Sequence, residues 1–126
     1  MEIQGMVVHG KKEARTLGYP TANIAYTSLA TPEAGVWTCF IDIEGKAYQG
    51  LAVVGMWYLS TGEPSVEVHV FDFQEEIYGK IVVVIFGIVL RPLKKFETLE
   101  ILKTQIKQDI ERGRDWFKRR ADDKEG

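Results

Sequence analysis

Apolar and polar positions keep a period of two through roughly the first ninety residues and then change period. Residues 1–8 set Ile3, Gly5 and Val7 against Glu2 and Gln4, the pattern of a strand with one wet face. Residues 9–19 have no period and collect His9, Lys11, Lys12 and Arg15, which reads as a loop. Pro20 biases Tyr19 away from helix, so the following Pro-Thr-Ala-Asn-Ile runs extended. After a polar, turn-like stretch at 27–35, residues 36–43 are rich in β-branched and aromatic side chains. Glu44, Gly45 and Lys46 then signal a hairpin, with 47–55 as the returning strand. A second loop is expected at 57–64, a strand at 66–73, a turn at 74–79 and a long, nearly continuous apolar strand at 80–90.

Beyond Arg91-Pro92 the spacing becomes helical. Leu99, Leu102, Ile106 and Ile110 recur at steps of three and four, one stripe of a helix. Thr98 suits its N-cap, and Gly113 either ends the helix or weakens it, since Trp116 and Phe117 continue the stripe. The last residues are charged, so the expected division is a barrel domain with its helix over 1–120 and a frayed tail at 121–126. Five or six strands with no helices between them exclude a parallel sheet, which needs helical crossovers. The expected fold is therefore mainly β: an antiparallel sheet closed into a barrel, which removes its adhesive edges, with one C-terminal α-helix as cover.

Composition narrows the classes without naming a function. The 126 residues are 45% hydrophobic and 27% charged, ordinary for one globular domain. A net charge of −2 gives no footprint for nucleic acid, and no apolar run approaches a membrane span. No basic-then-apolar leader opens the chain, so the cytoplasm is the expected compartment, and a monomer the expected state. The single cysteine, Cys39, can form neither an internal disulfide nor a zinc cluster and reads as a small buried hydrophobe.

Three groups of polar residues carry candidate chemistry. Thr21 and Asn23 are two apart in an extended segment and share a face. Their oxygens suit a hard cation bridging phosphates, or equally an ordinary turn after Pro20. Glu67 alternates with Val66 and Val68. It points into the barrel mouth as a base if those valines face outward, and into solvent if they face the core. The 9–18 loop combines Gly10 with basic side chains that would suit a triphosphate, yet it lacks the GxxxxGK[ST] of a phosphate-binding loop, and charged loops are commonly just solvated. His9 and His69 have no metal-ligand company, and structural hydrogen bonding is expected of each.

In order along the chain stand GMVVHG (5–10), LGYPTANI (17–24), GVW (35–37), VEVHVFDF (66–73), IYGK (77–80), LRPLKKFETLEILKTQI (90–106) and DI (109–110). This series resembles the riboflavin kinase (flavokinase) family over nearly the whole chain. Each block alone is weak; the ordered combination is specific. The resemblance implies a six-stranded Greek-key barrel with a helix, transferring the γ-phosphoryl of ATP to the 5′-hydroxyl of riboflavin to give FMN and ADP. It implies Mg²⁺ held by Thr21 and Asn23, and Glu67 as general base. It further implies a nucleotide contact from Gly10, Arg15 and Thr21, and a flavin contact from Arg91, Lys94 and Phe96. Such sparse machinery suits phosphoryl transfer, which is mostly positioning and charge neutralisation. Two loops depart from the family pattern: Ala14 stands where a glycine is usual, and the loop after Gly55 reads MWYLSTGEP. An alanine resists the positive φ that glycine accepts, so the alternative reading is a flavin-binding or regulatory module of the same fold with weakened or no catalysis.

Overall fold

The structure is a computed structural model that describes residues 1–9, 18–27, 31–59 and 62–125. Six antiparallel strands close a barrel: β1 (Glu2–Val8), β2 (Ala22–Tyr26), β3 (Gly35–Ile43), β4 (Lys46–Tyr58), β5 (Pro64–Val70) and β6 (Ile81–Arg91). Around the barrel the order is β1-β2-β5-β4-β3-β6, with β6 returning to β1. One helix, α1 (Leu99–Glu125), follows among the described residues. None of the described helix is long and apolar enough to cross a membrane.

Alternation in the strands produces the core. Ile24 and Tyr26 of β2, Cys39 and Ile41 of β3, Val66, Val68 and Val70 of β5 and Val82 and Val84 of β6 point inward and are buried. Each such side chain contributes about 1.5–3 kcal/mol of apolar burial. The long β6 run is thus not buried on both sides; Val82, Val84 and Phe86 face in while Ile81 and Ile85 stay exposed. Burial pushes the Cys39 thiol up to about 12, so it stays protonated and acts only as packing. Tyr26 donates its hydroxyl to the Pro64 carbonyl at 2.7 Å, and burial first, with Glu63 nearby, raises its pKa.

Local chemistry sets the turns. Ile43 pairs with Lys46, leaving Glu44 and Gly45 as a two-residue turn at φ of 54° and 83°, the left-handed pair that matches strand twist. Three boundaries differ from the sequence expectation. β4 continues through Tyr58, which pairs with Pro64 after a register shift. Gly55, at φ 95°, bends the strand where its composition suggested a stop. β5 ends at Val70 rather than 73, because Asp72 takes a left-handed φ of 56°. The helix runs through Gly113 to Glu125, past residue 120. At Gly113 an added Cβ would sit 2.7 Å from Leu51 Cδ2, so this glycine lets the helix lie close on the barrel.

That contact builds a second, smaller core outside the barrel. Leu51, Phe71 and Phe117 are buried together, with Phe40, Ile110 and Trp116 around them. Phe117 meets Phe40 and Phe71 edge-to-face at 5.1 and 6.2 Å between centroids. Thr98 caps the helix as expected, its Oγ1 accepting from the Ile101 amide at 3.2 Å.

Candidate functional site

The β2–β5 ladder decides where the polar candidates go. Ile24 pairs with Val66 and Ala22 with Val68, and Val66 and Val68 are buried in the core. The rung between them, Asn23 opposite Glu67, therefore projects from the outer face. Sequence reasoning tied an inward-facing Val66 and Val68 to a solvated Glu67, and that link fails. The valines do face the core, but the outer face here lies beneath α1 and the 92–98 segment, so Glu67 is half-buried and lines a cleft. A third layer, invisible to strand alternation, makes the difference.

This cleft has a volume of about 820 Å³, within the range of small-molecule sites. Its floor is the outer face of β4 and β5, with Leu51, Val53, Glu67 and His69. Its roof is the first half of the helical stripe: Leu99, Leu102, Ile106 and Ile110. The 93–98 segment lies along one side and brings Lys94 and Phe96 to the wall. Phe96 lies between two cations, with the Arg91 guanidinium 5.7 Å and the Lys94 ammonium 5.4 Å from its ring centroid.

Arg91 also borders the cleft, but its donors are engaged. Nε and Nη2 donate to the two oxygens of Asp109 at 2.9 and 2.8 Å, and Nη1 donates to the Pro92 carbonyl at 3.1 Å. Gln105 adds a third bond to Asp109 Oδ1 at 2.9 Å. With the Asp109 side chain 4% exposed and Arg91 15%, this bidentate pair brackets the end of β6 to the helix roof.

On the other side of Thr21 lies a smaller cavity of about 150 Å³, more polar than the cleft, where Thr21, Asn23, Gln74 and Glu75 alternate with apolar side chains such as Val70 and Phe73. His9 and Tyr78 stack at its rim with centroids 3.8 Å apart. Thr21 borders both cavities. The structure thus brings Thr21, Asn23 and Glu67 together at the junction of an apolar cleft and a polar hollow. Gly10, Arg15 and Ala14 lie outside the described residues, as do residues 60 and 61 of the second loop.

A hydroxyl, a carboxamide and a carboxylate are all oxygen donors, the chemistry a hard cation takes. Among the described residues no three His, Cys, Asp or Glu side chains converge as a metal cage. The donor set therefore fits an ion that completes its shell from phosphate and water, as Mg²⁺ does in nucleotide sites.

His69, of which structural hydrogen bonding was expected, also belongs to this junction. His69 Nδ1 lies 2.9 Å from the Pro20 carbonyl, and its ring meets Tyr19 and Phe71 edge-on at 6.0 and 5.9 Å. Its position two residues after Glu67 was a signal that it shares the same face; its partner, 49 residues away in sequence, was not readable.

A family model described as riboflavin kinase (flavokinase) matches residues 1–117. The bifunctional riboflavin kinase/FMN adenylyltransferase of Pseudomonas fluorescens is 38% identical over 110 residues, covering 86% of this chain and 35% of that protein. The chain spans about a third of the length of the curated relatives it matches. A solved chain described as a macrolide-efflux protein from Streptococcus pneumoniae is 38% identical with a TM-score of 0.83, over 91% of this chain and 38% of that one. Riboflavin kinase from Trypanosoma brucei shares the fold at a TM-score of 0.62 and 23% identity, over 93% of this chain and 79% of its own.

Proposed function

The chain belongs to the riboflavin kinase family, and on that premise we propose that it transfers the γ-phosphoryl of ATP to the 5′-hydroxyl of riboflavin, giving FMN and ADP. The observation that carries the proposal is the junction at Thr21, where an apolar cleft of about 820 Å³ containing Glu67 meets a polar hollow containing Asn23. Two substrates of unlike chemistry have a place each, and the acidic and neutral oxygens stand between them.

In this reading the flavin ring lies in the cleft, between the helix stripe and the barrel floor, with Phe96 and Lys94 at its edge. Arg91, held by Asp109, keeps the wall in place and presents the face of its guanidinium. The ribityl chain runs toward Glu67, which takes the proton of the 5′-hydroxyl as that oxygen bonds to the γ-phosphorus. The bridging oxygen between the β- and γ-phosphates leaves with ADP. Thr21 and Asn23 would hold Mg²⁺, which would neutralise charge developing on the phosphate oxygens. Gly10 and Arg15 are assigned to the nucleotide by sequence alone. The setting proposed is the cytoplasm, with the chain acting as a monomer.

Glu67→Gln keeps the shape of the side chain and removes its basicity. The expected result is a fall in kcat of about 10²- to 10⁴-fold, the range for a lost general base, with riboflavin affinity and melting temperature held. Full turnover in this variant would remove Glu67 from the chemistry.

A further inference from the structure

The strand ladder that presents Glu67 stops just before Thr21, and a side chain takes over from it. The β2–β5 register pairs Asn23 with Glu67 and Ala22 with Val68. One further step would set Thr21 opposite His69 and reach Pro20, which has no N–H to give to a ladder. Strand β2 accordingly begins only at Ala22. Beyond that point the described hydrogen bond between the two segments comes from the His69 ring, Nδ1 to the Pro20 carbonyl at 2.9 Å. A carbonyl oxygen only accepts, so Nδ1 carries the hydrogen and the ring orientation is fixed.

The bonded carbonyl shares one rigid peptide plane with the nitrogen and Cα of Thr21. Fixing Pro20 O therefore fixes the Thr21 nitrogen and Cα, and the pairing of Ala22 with Val68 holds the next residue, so Thr21 is pinned from both sides. Thr21 is the residue that borders both cavities. His69 lies on the same outer face as Glu67 and lines the same cleft. One strand thus carries the proposed base and, two residues on, the group that orients the proposed metal-binding segment.

We infer that His69 is a positioning residue: its Nδ1–H bond to Pro20 holds the Thr21 segment in register with Glu67, and so sets affinity for the metal–nucleotide complex more than for the flavin. The inference rests on the phosphotransfer reading for its purpose but not for its measurement. Outer groups that orient metal ligands typically carry about 10- to 100-fold of metal affinity or activity.

Two variants separate the hydrogen bond from the ring. His69→Phe keeps an aromatic ring against Tyr19 and Phe71 but has no donor. His69→Asn loses the ring but places an amide N–H close to where Nδ1 stands. Affinity for Mg–ADP by titration, riboflavin affinity by fluorescence quenching, and melting temperature are measured for each. The expected result is at least a tenfold weaker Mg–ADP affinity in His69→Phe, recovery to within about threefold of wild type in His69→Asn, and a loss of riboflavin affinity in His69→Phe at least about threefold smaller than the loss for Mg–ADP. Equal impairment of the two variants, unimpaired Mg–ADP binding in His69→Phe, or an equal loss of riboflavin affinity would each overturn it. A wild-type chain that binds Mg–ADP but forms no FMN defeats the phosphotransfer reading while the His69 comparison still decides this one. A wild-type chain that does not bind Mg–ADP defeats both.

Discussion

The two halves of helix α1 carry one continuous apolar stripe and use it in opposite ways. From Gly113 to Phe117 the helix lies directly on the barrel, Phe117 is buried, and the aromatic rings of Phe40, Phe71 and Trp116 close around it. From Leu99 to Ile110 the same stripe stands off the barrel and roofs the cleft, leaving Leu99 62% exposed. Proximity to the barrel is set by residue size. Gly113 admits close approach, whereas residues 93–98 line the gap beneath the N-terminal half and the Arg91–Asp109 pair fixes its spacing from the end of β6. The closed half stabilises the fold; the open half leaves apolar surface for a ligand to cover.

The comparison breaks most visibly at Phe117. Phe117→Ala should cost about 3–5 kcal/mol of stability in a denaturant melt, the usual range for emptying a buried aromatic site. A loss under about 1 kcal/mol would mean that the closed half is not the anchor. Asp109→Ala touches both halves, because it frees Arg91 at the spacer. Breaking a buried pair by removing one partner costs about 3 kcal/mol or more, and riboflavin affinity should fall with it as the roof loses its bracket. Stability lost with affinity intact would uncouple the spacer from the cleft.

Leu102→Ala should do the reverse of Phe117→Ala. Leu102 is half-buried and faces the cleft, so the melting temperature should barely move while the riboflavin dissociation constant rises about tenfold, or 1.4 kcal/mol. The smallest effect is at the outer surface, where Arg114 donates to both oxygens of Asp72 at 3.1 and 3.0 Å, tying the closed half to the β5 turn. The hydrogen bond and charge of Arg114 lower the Asp72 pKa. A carboxylate depressed on folding contributes stability above its unfolded pKa, near 4, and loses it as pH falls through the lower folded value. Arg114→Ala should therefore lower the melting temperature slightly at pH above about 4, and that difference from wild type should shrink away as the pH falls below it.

The barrel was legible because two periods suffice for it. Ile3 and Val7 face in as their alternation says, Thr98 caps the helix, and Glu44-Gly45 turns the hairpin. Gly55 misled because composition put the strand end there, whereas it bends the strand; Gly113, open between ending and weakening the helix, does not end it and instead admits a neighbour. Glu67 shows the limit more sharply. Alternation places it off the core face, but whether that face meets water or a helix depends on how α1 folds back across the barrel. The ordered blocks put functional weight on Thr21, Asn23 and Glu67 where physical pattern alone left their roles open. The link from His69 to Pro20 joins residues 49 apart and had no sequence signal.

The central claim is that the space under the open half of the helix holds a flavin beside a phosphoryl-transfer centre. Its most direct test is to incubate the chain with riboflavin, ATP and Mg²⁺ and to separate the flavins and nucleotides by chromatography. The account predicts FMN and ADP in equal amounts, both lost when Mg²⁺ is chelated. Riboflavin fluorescence quenched on binding, with no FMN formed at any metal concentration, would contradict it.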